Sequence, residues 1–313
     1  MSYEAQVAAA LDAVALRAPD AFLWFGRREA VDGAEDSLVE RIARRLCKDF
    51  FSAAVPRARR DGRAAAPDDG GALVRALSQA NGGRGAWQDG WRVAAPETDD
   101  GVTVVRPGGL ALLAPTDEIR ATGERAAVLQ PKELRGASPG FYVALGDHAF
   151  GPDDDLAGLF FGIAAAGAAT LVARVTYALN GAGVAFRLEL RDSPDRYGRG
   201  DAAVLAIARQ DFATVMKLLR PLLRALGPHL SDGAPAFTKP LARGLALAEL
   251  PAGGQRFAEQ RCRSLAEAIV AAGAAGARTP EARLDVVREH FAAAGVSLDT
   301  PYLQPGSADA YVS

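Results

Sequence analysis

Apolar residues follow two different spacings along the chain, and each spacing predicts a different kind of element. Helical spacing is clearest near the two ends. The helices it predicts there are residues 3–17, 37–51, 257–272 and 280–294. The second of these begins at Ser37, a good N-cap residue. Between the first two helices, the aromatic cluster Phe22-Leu-Trp-Phe-Gly26 is expected to lie in the core.

From Trp91 onward the spacing changes to that of strands. The strands predicted in this part are residues 102–106, 110–113, 126–129 and 141–145. The sequence Pro107-Gly-Gly109 predicts a hairpin turn between the first two. Residues 131–139 are expected to be a connection, and residues 56–71, which lack apolar periodicity, a long loop.

After Pro152 the predicted elements follow the order β-α-β-β-α-β. The predicted strands are residues 158–163, 184–190, 202–208 and 244–250, and the helices are residues 168–180 and 211–226. This order is typical of a ferredoxin-like split βαβ sandwich. The sequence therefore predicts an α+β protein with two regions: residues 1–151, with helices and a small antiparallel sheet, and residues 152–313, with the sandwich and C-terminal helices. Residues 301–307 are expected to pack as an irregular lid or brace.

Composition narrows the classes of function. The 313 residues carry a formal net charge of −2, which argues against a general nucleic-acid binder. No apolar run is long enough for a membrane span, and the N-terminus does not resemble a signal peptide. Two lone cysteines, Cys47 and Cys262, suggest a reducing compartment, so the expected location is the cytoplasm. Three widely spaced histidines predict no metal site.

The loop Arg191-Asp-Ser-Pro-Asp-Arg-Tyr-Gly-Arg-Gly-Asp201 is the most suggestive stretch for chemistry. It joins two predicted strands and carries three arginines, and guanidinium groups grip phosphate or carboxylate through paired hydrogen bonds. The alternative is a solvated hairpin loop in which the Asp and Arg side chains pair with one another.

Several segments taken together resemble one family. They include Phe22-Leu-Trp-Phe-Gly-Arg27, Ala80-Asn-Gly-Gly-Arg-Gly-Ala-Trp-Gln-Asp-Gly-Trp91, Pro131-Lys-Glu-Leu134, Ser138-Pro-Gly-Phe-Tyr142, Arg196-Tyr-Gly-Arg-Gly-Asp-Ala-Ala-Val-Leu205, Pro235-Ala-Phe-Thr-Lys-Pro-Leu241, Arg261-Cys262 and Pro301-Tyr-Leu-Gln-Pro305. The set is similar to the HopA-type effector family, over nearly the whole chain. Members outside pathogens accompany class V lanthipeptide and thioamitide pathways.

The resemblance implies a phospho-lyase that needs no cofactor. Such a protein works beside an aminoglycoside-phosphotransferase-like kinase and eliminates phosphate from phosphoserine or phosphothreonine of a precursor peptide, leaving a dehydroamino acid. Nucleic acid and membrane are not expected partners.

Carried onto this sequence, the resemblance suggests seven site residues. Arg196, Arg199, Asp201 and Thr238 are the candidates for binding phosphate, with Asp201 orienting Arg199; Lys132 and Lys239 are candidate bases or phosphate ligands, and His148 is a candidate acid. Tyr197 is a further possible hydrogen-bond donor. For the lysines the alternative is an ordinary surface position, for His148 an exposed loop position, and for Thr238 and Tyr197 a structural role.

The chain also departs from the family pattern at six positions. Gly158, Phe160 and Gly162 stand where the pattern has Arg, Tyr and Asn; Glu189 stands where it has Lys; and Arg256 and Gln260 stand where it has Ser and His. Loss of cationic and proton-transferring groups from one pocket leaves two alternatives to an active lyase. One is a catalytically degenerate paralogue that binds precursor peptide or kinase as a scaffold. The other is a type III secreted effector, against which the helical N-terminus argues.

Overall fold

The structure is a computed structural model, which describes residues 2–17, 20–28, 36–53, 71–98, 101–105, 111–151 and 153–311, without the side chains of residues 95–98. Within these ranges the chain forms seven α-helices and fifteen strands, an α+β fold as predicted. The helices are α1 (Tyr3–Ala13), α2 (Leu38–Asp49), α3 (Ala72–Ala80), α4 (Ala165–Gly181), α5 (Phe212–Leu226), α6 (Phe257–Ala274) and α7 (Pro280–Ala293).

The strands form three antiparallel sheets of three, seven and five strands. They are β1 (Val14–Arg17), β2 (Ala21–Trp24), β3 (Arg27–Arg28), β4 (Ala86–Thr98), β5 (Gly101–Val105), β6 (Ala111–Ala114), β7 (Ile119–Thr122), β8 (Arg125–Gln130), β9 (Glu133–Ser138), β10 (Phe141–Leu145), β11 (Leu156–Phe161), β12 (Phe186–Arg191), β13 (Ala203–Ala208), β14 (Lys239–Ala242) and β15 (Leu245–Glu249). The small sheets are β1-β2-β3 and β6-β5-β4-β8-β7.

The seven-stranded sheet has the order β14-β15-β11-β13-β12-β10-β9. Its second to fifth strands, β15-β11-β13-β12, are connected through α4 and α5 as a split βαβ unit, so the ferredoxin-like prediction is confirmed. Strands β9 and β10 extend the same sheet from the part of the chain before residue 152. The division into regions 1–151 and 152–313 stays a prediction.

The two faces of this sheet differ in chemistry, and strand β12 shows the difference. Phe186, Leu188 and Leu190 are buried in the main core with apolar residues of α4 and α5. Because side chains alternate along a strand, the other face carries Arg187, Glu189 and Arg191. Charged side chains are therefore held in a row on the face of β12 that points away from α4 and α5, and the same face of β11 carries the buried Phe160.

Two expectations about secondary structure were wrong. Residues 14–17 leave the predicted first helix and form β1, because they pair with β2 in a hairpin, and this strand pairing overrides the helical spacing. Residues 133–138, expected in a connection, form β9 at the edge of the large sheet. The strand is half-exposed and polar, so it lacks the apolar alternation that predicts a strand.

The remaining local predictions have mixed outcomes. Phe22 and Trp24 are buried as expected, whereas Phe25 is exposed, in a left-handed turn. Ser37 caps α2, and Glu40 completes a capping box. The predicted loop 56–71, apart from Gly71, and the predicted turn 107–109 lie outside the described residues, although β5 and β6 do pair antiparallel.

Both cysteines are free thiols, and Cys47 Sγ on α2 lies 3.4 Å from the carbonyl oxygen of Ala258 on α6. Burial, followed by the nearby Cys47, raises the pKa of the Cys262 thiol well above its usual value. Among the helices described, none combines the length and apolar character that a bilayer crossing needs.

Candidate functional site

A cleft of about 500 Å³ lies over the charged face of the large sheet. Its floor includes Phe160 of β11, packed at ring-centroid distances of 6.2 and 6.0 Å against Phe51 and Phe257. Its wall is the segment that runs from Leu250 into α6. The cleft is therefore bounded by the charged face of β12, by the aromatic cluster around Phe160, and by the segment that leads into α6.

Asp201 is the buried carboxylate at the inner end of this cleft. It accepts hydrogen bonds from Nη2 of Arg191 at 2.8 Å and from Nε of Arg199 at 3.1 Å, and Arg199 also donates to Oγ of Ser52. Burial alone would raise the pKa of Asp201, but the guanidiniums of Arg199 and Arg191 outweigh it and hold that pKa below its usual value. Asp201 therefore remains ionised and fixes both arginines.

A second ion-pair network lies nearer the opening. Glu189 is 3.2 Å from Nε of Arg187 and 3.1 Å from Nη2 of Arg256, and Arg256 also donates to Oγ of Ser138 at 3.0 Å. The side chains of Arg187 and Arg256 are 41% and 39% exposed, whereas that of Glu189 is 17% exposed. The carboxylate is enclosed and the two guanidiniums remain accessible from the cleft.

The two networks meet at the ring of Phe141. The guanidinium carbon of Arg191 lies 4.3 Å from the ring centroid, and that of Arg256 lies 4.1 Å from it. Burial lowers the pKa of Arg191; Asp201 raises it, and the neighbouring cations Arg199 and Arg256 lower it again. Two guanidiniums that stack on the same aromatic ring and line one cleft form a surface suited to an anion.

Lysine and histidine are missing from the cleft lining. The chain has four lysines (Lys48, Lys132, Lys217, Lys239) and three histidines (His148, His229, His290), and all seven fall within the described residues. None of them lines the cleft. Within the described residues, no group of three or more His, Cys, Asp or Glu side chains is arranged to hold a metal ion.

Of the four predicted phosphate-binding residues, only Asp201 lines the cleft. Arg199 is tied to Asp201, as expected, but through one nitrogen rather than two. Arg196 is exposed and lies against Gly140. Thr238 is buried and donates to the carbonyl oxygen of Pro235 at 2.6 Å. The phenol of Tyr197 donates to the carbonyl oxygen of Arg191 at 2.8 Å.

The three predicted acid–base residues lie in other parts of the chain's fold. Nζ of Lys132 donates to the carbonyl oxygen of Asn81 at 2.8 Å, and Nζ of Lys239 is 2.7 Å from both Oδ2 of Asp309 and the carbonyl oxygen of Tyr311. His148 is exposed in the loop after β10. The structure does not bring these groups together with the cleft arginines; their catalytic roles stay predictions.

Sequence reasoning missed Arg187, Arg256, Ser138 and Phe141 as cleft residues. The alternation along β12 could have placed Arg187 beside Arg191, but Arg256 reaches the cleft only through the packing of α6. Three of the six departures from the family pattern do line the cleft: Phe160, Glu189 and Arg256. At a fourth position, Gly158, a Cβ would lie 2.7 Å from Cδ2 of Leu250, so that leucine occupies the space.

Comparison with models of protein families identifies one family. Residues 134–303, more than half of the chain, match the model of the HopA1 effector protein family. Comparison with curated proteins gives no match. An effector protein of Pseudomonas syringae pv. tomato strain DC3000 aligns with a TM-score of 0.45 and 19% identity over 74% of this chain and 80% of its own. One from Pseudomonas syringae pv. syringae strain 61 aligns with a TM-score of 0.38 and 21% identity, over 53% and 63%.

Proposed function

Since this chain belongs to the HopA1 effector protein family, we propose that its cleft binds a phosphorylated Ser or Thr side chain of a peptide and holds it without eliminating the phosphate. The observation that carries the proposal is the convergence of Arg191 and Arg256 on Phe141. A phosphate dianion in the cleft can accept charge-assisted hydrogen bonds from the guanidiniums that line it.

The charge balance of the two networks supports an anionic ligand. Four guanidiniums, those of Arg187, Arg191, Arg199 and Arg256, face the two carboxylates of Glu189 and Asp201. Asp154 and Asp155 also line the cleft, and Arg209, 3.5 Å from Asp155, is shared with Glu249. The local excess is therefore confined to Arg187 and Arg256, whose two positive charges face the single carboxylate of Glu189.

Glu189 is the internal competitor of such a ligand. Its two oxygens contact the guanidiniums that a phosphate would need, so the ligand must displace the carboxylate or share the arginines with it. Removing this charge while keeping the side-chain shape should therefore strengthen phosphate binding.

Elimination, the reaction that the family resemblance implies, needs a base strong enough to remove the weakly acidic α-proton while the Cβ–O bond breaks and phosphate leaves. The lysines and histidines lie outside the cleft lining. Asp201 is held ionised by two arginines, which makes it a weak base, and the carboxylate of Glu189 is already paired with Arg187 and Arg256. Burial, followed by Asp192, raises the pKa of Tyr197. These features favour the scaffold role, with the precursor peptide and its kinase as proposed partners.

The family's description as effector proteins supports a second candidate role for the same cleft. In that role the phosphorylated segment belongs to a protein of a host cell rather than to a precursor peptide. The two roles share the recognition chemistry and differ in the source of the peptide.

The proposal is tested with a degenerate library of phosphoserine and phosphothreonine peptides and its unphosphorylated counterpart. We expect the protein to retain phosphopeptides selectively and to leave their masses unchanged. Loss of phosphoric acid, giving dehydroalanine or dehydrobutyrine, would establish elimination and overturn the scaffold role. Equal retention of the two libraries would overturn phosphate recognition.

Two cleft substitutions should move affinity in opposite directions. Arg256→Ala removes one charge-assisted contact, so we expect the Kd of a retained phosphopeptide to rise about tenfold or more. Glu189→Gln should lower that Kd, because Arg187 and Arg256 lose their competing carboxylate. Titration calorimetry of both variants measures the changes.

Arg243→Ala is the matched control, because Arg243 is exposed, pairs with Asp232 and does not line the cleft. It should bind the phosphopeptide as the unsubstituted protein does. Weaker binding by Glu189→Gln would show that Glu189 contributes to the site rather than competing with its ligand.

A further inference from the structure

The outward sides of α4 and α5 carry positive charge only. Arg174 on α4 and Lys217, Arg220 and Arg224 on α5 are all exposed, and neither helix contains an Asp or Glu residue. We call these four residues the basic helical face. The whole chain has a formal net charge of −2, so this local excess is not a consequence of composition.

These four side chains have no acidic partner within the described part of the chain. Two exposed arginines on other helices are paired by contrast: Arg263 with Glu267 at 3.0 Å, and Arg288 with Glu4 at 2.7 Å. Like charges at neighbouring helical positions repel one another. A surface that keeps them together without internal compensation is complementary to an acidic surface.

The face has a defined geometry. Lys217, Arg220 and Arg224 follow at helical spacing along one side of α5 and span about 10 Å at 1.5 Å per residue. The helices α4 and α5 pack together, and Gly167 near the start of α4 lies against His229 just beyond α5. Arg174, about two turns into α4, is therefore level with Arg220 and Arg224, about two turns before His229.

We propose that the basic helical face docks an acidic helical segment of a partner protein. Carboxylates at helical spacing would meet the row on α5, and Arg174 would contact the same segment from α4. Tyr177, 82% exposed on α4, adds an aromatic ring and a hydrogen-bonding hydroxyl beside it. This surface is separate from the phosphate cleft, which lies on the opposite face of the sheet.

The other polyanions fit this face less well. Duplex nucleic acid favours a broad basic surface, whereas this chain has a pI of about 6.0 and four unpaired cations on two helices. Membrane-surface helices insert several large apolar side chains, whereas Tyr177 is the one large uncharged side chain exposed on α4 and α5, and most other exposed positions are small, such as Thr170, Ala213, Thr214 and Ala225.

The test uses the full chain and a designed helical peptide with Glu at positions i, i+3 and i+7 of one face. A peptide of the same composition with those glutamates distributed around the helix, a DNA duplex and phosphatidylserine vesicles are the competing probes. We expect the one-faced peptide to bind most tightly, and its Kd to rise at least tenfold in Arg220→Ala/Arg224→Ala. Alanine preserves helix propensity in this double variant.

The double variant Arg263→Ala/Arg288→Ala, which removes two paired exposed arginines, should bind the one-faced peptide unchanged. Equal loss in both double variants would mean that only overall charge matters and would overturn the site. Tighter binding to DNA or to vesicles at the same ionic strength would overturn the partner class, and equal binding of the two peptides would overturn the helical register. Circular dichroism of each variant checks that the helical content of the chain is unchanged.

Discussion

The substitution Asp201→Asn is expected to lower the free energy of unfolding by about 3 kcal/mol. It removes a buried carboxylate while Arg191 and Arg199 remain in place, each still largely buried. Leaving buried charges without a counterion costs about 3–5 kcal/mol. The lower end applies because the Asn oxygen still accepts one hydrogen bond and each guanidinium keeps some contact with water.

The same substitution should change how stability depends on pH. The pKa of Asp201 is lower in the folded chain than in the unfolded chain, so its contribution is fully present above the unfolded value of about 3.9 and is lost as the pH falls through the folded value. The unsubstituted protein should lose stability through that acidic range, and Asp201→Asn should lose less. Urea unfolding at a series of pH values measures both effects.

Asp285→Asn is the matched control, because Asp285 is exposed and pairs with Arg288 on the surface of α7. Exposed pairs contribute about 0–1 kcal/mol, so this variant should unfold nearly as the unsubstituted protein does. If Asp201→Asn were as stable as this control, Asp201 would not be the counterion that fixes the two arginines.

Local residue patterns predict much of the fold but little of the candidate site. The strand alternation in Phe186-Arg-Leu-Glu-Leu-Arg191 places apolar and charged residues on opposite faces, so both β12 and its charged row follow from local pattern. Strand β9 has no such pattern. It lies at the edge of the sheet, where its side chains are half-buried or exposed and need not alternate between apolar and polar. Pairing with β10 makes it a strand.

The cleft depends on contacts between distant segments, and these are not visible in residue spacing. Arg256 meets Glu189 and Ser138 only because the segment before α6 crosses the sheet. The sequence shows that the loop from Arg191 to Asp201 is charged. It does not show that Arg191 lines the cleft while Arg196 lies outside it. Side-chain direction in an irregular loop is set by packing and not by sequence distance.

The two candidate lysines make the same point. Lys132 donates to the carbonyl oxygens of Ser78 and Asn81 at the C-terminal end of α3, where a cation stabilises the helix dipole. Lys239 ties β14 to the C-terminal tail through Asp309. The family resemblance suggests a catalytic or phosphate-binding role for both lysines. In the structure, each lysine makes contacts that are sufficient for a structural role.

The second large effect is expected from Arg261→Met, which should lower the free energy of unfolding by about 3 kcal/mol or more. Arg261 is 1% exposed, and it donates through Nε to the carbonyl oxygen of Pro301 at 2.8 Å and through Nη2 to that of Leu303 at 2.6 Å. Burial lowers its pKa to about 10, a shift that Glu249 partly offsets, so it is charged at neutral pH. Methionine fills similar volume but leaves buried acceptors unsatisfied, at about 1–3 kcal/mol each.

The loss of stability should be concentrated in the C-terminal tail from Pro301 to Tyr311, because Arg261 and the buried Glu249 bind this tail to the rest of the chain. Glu249 accepts from the backbone N–H of Gln304 at 2.7 Å and from the Tyr311 phenol at 2.9 Å. Limited proteolysis of Arg261→Met should therefore cut the tail well before the main core, and urea unfolding should show the loss of stability. Arg263→Met, on the exposed side of the same helix, should change stability by no more than about 1 kcal/mol. Equal stability of the two variants would mean that the tail is held by its apolar contacts alone.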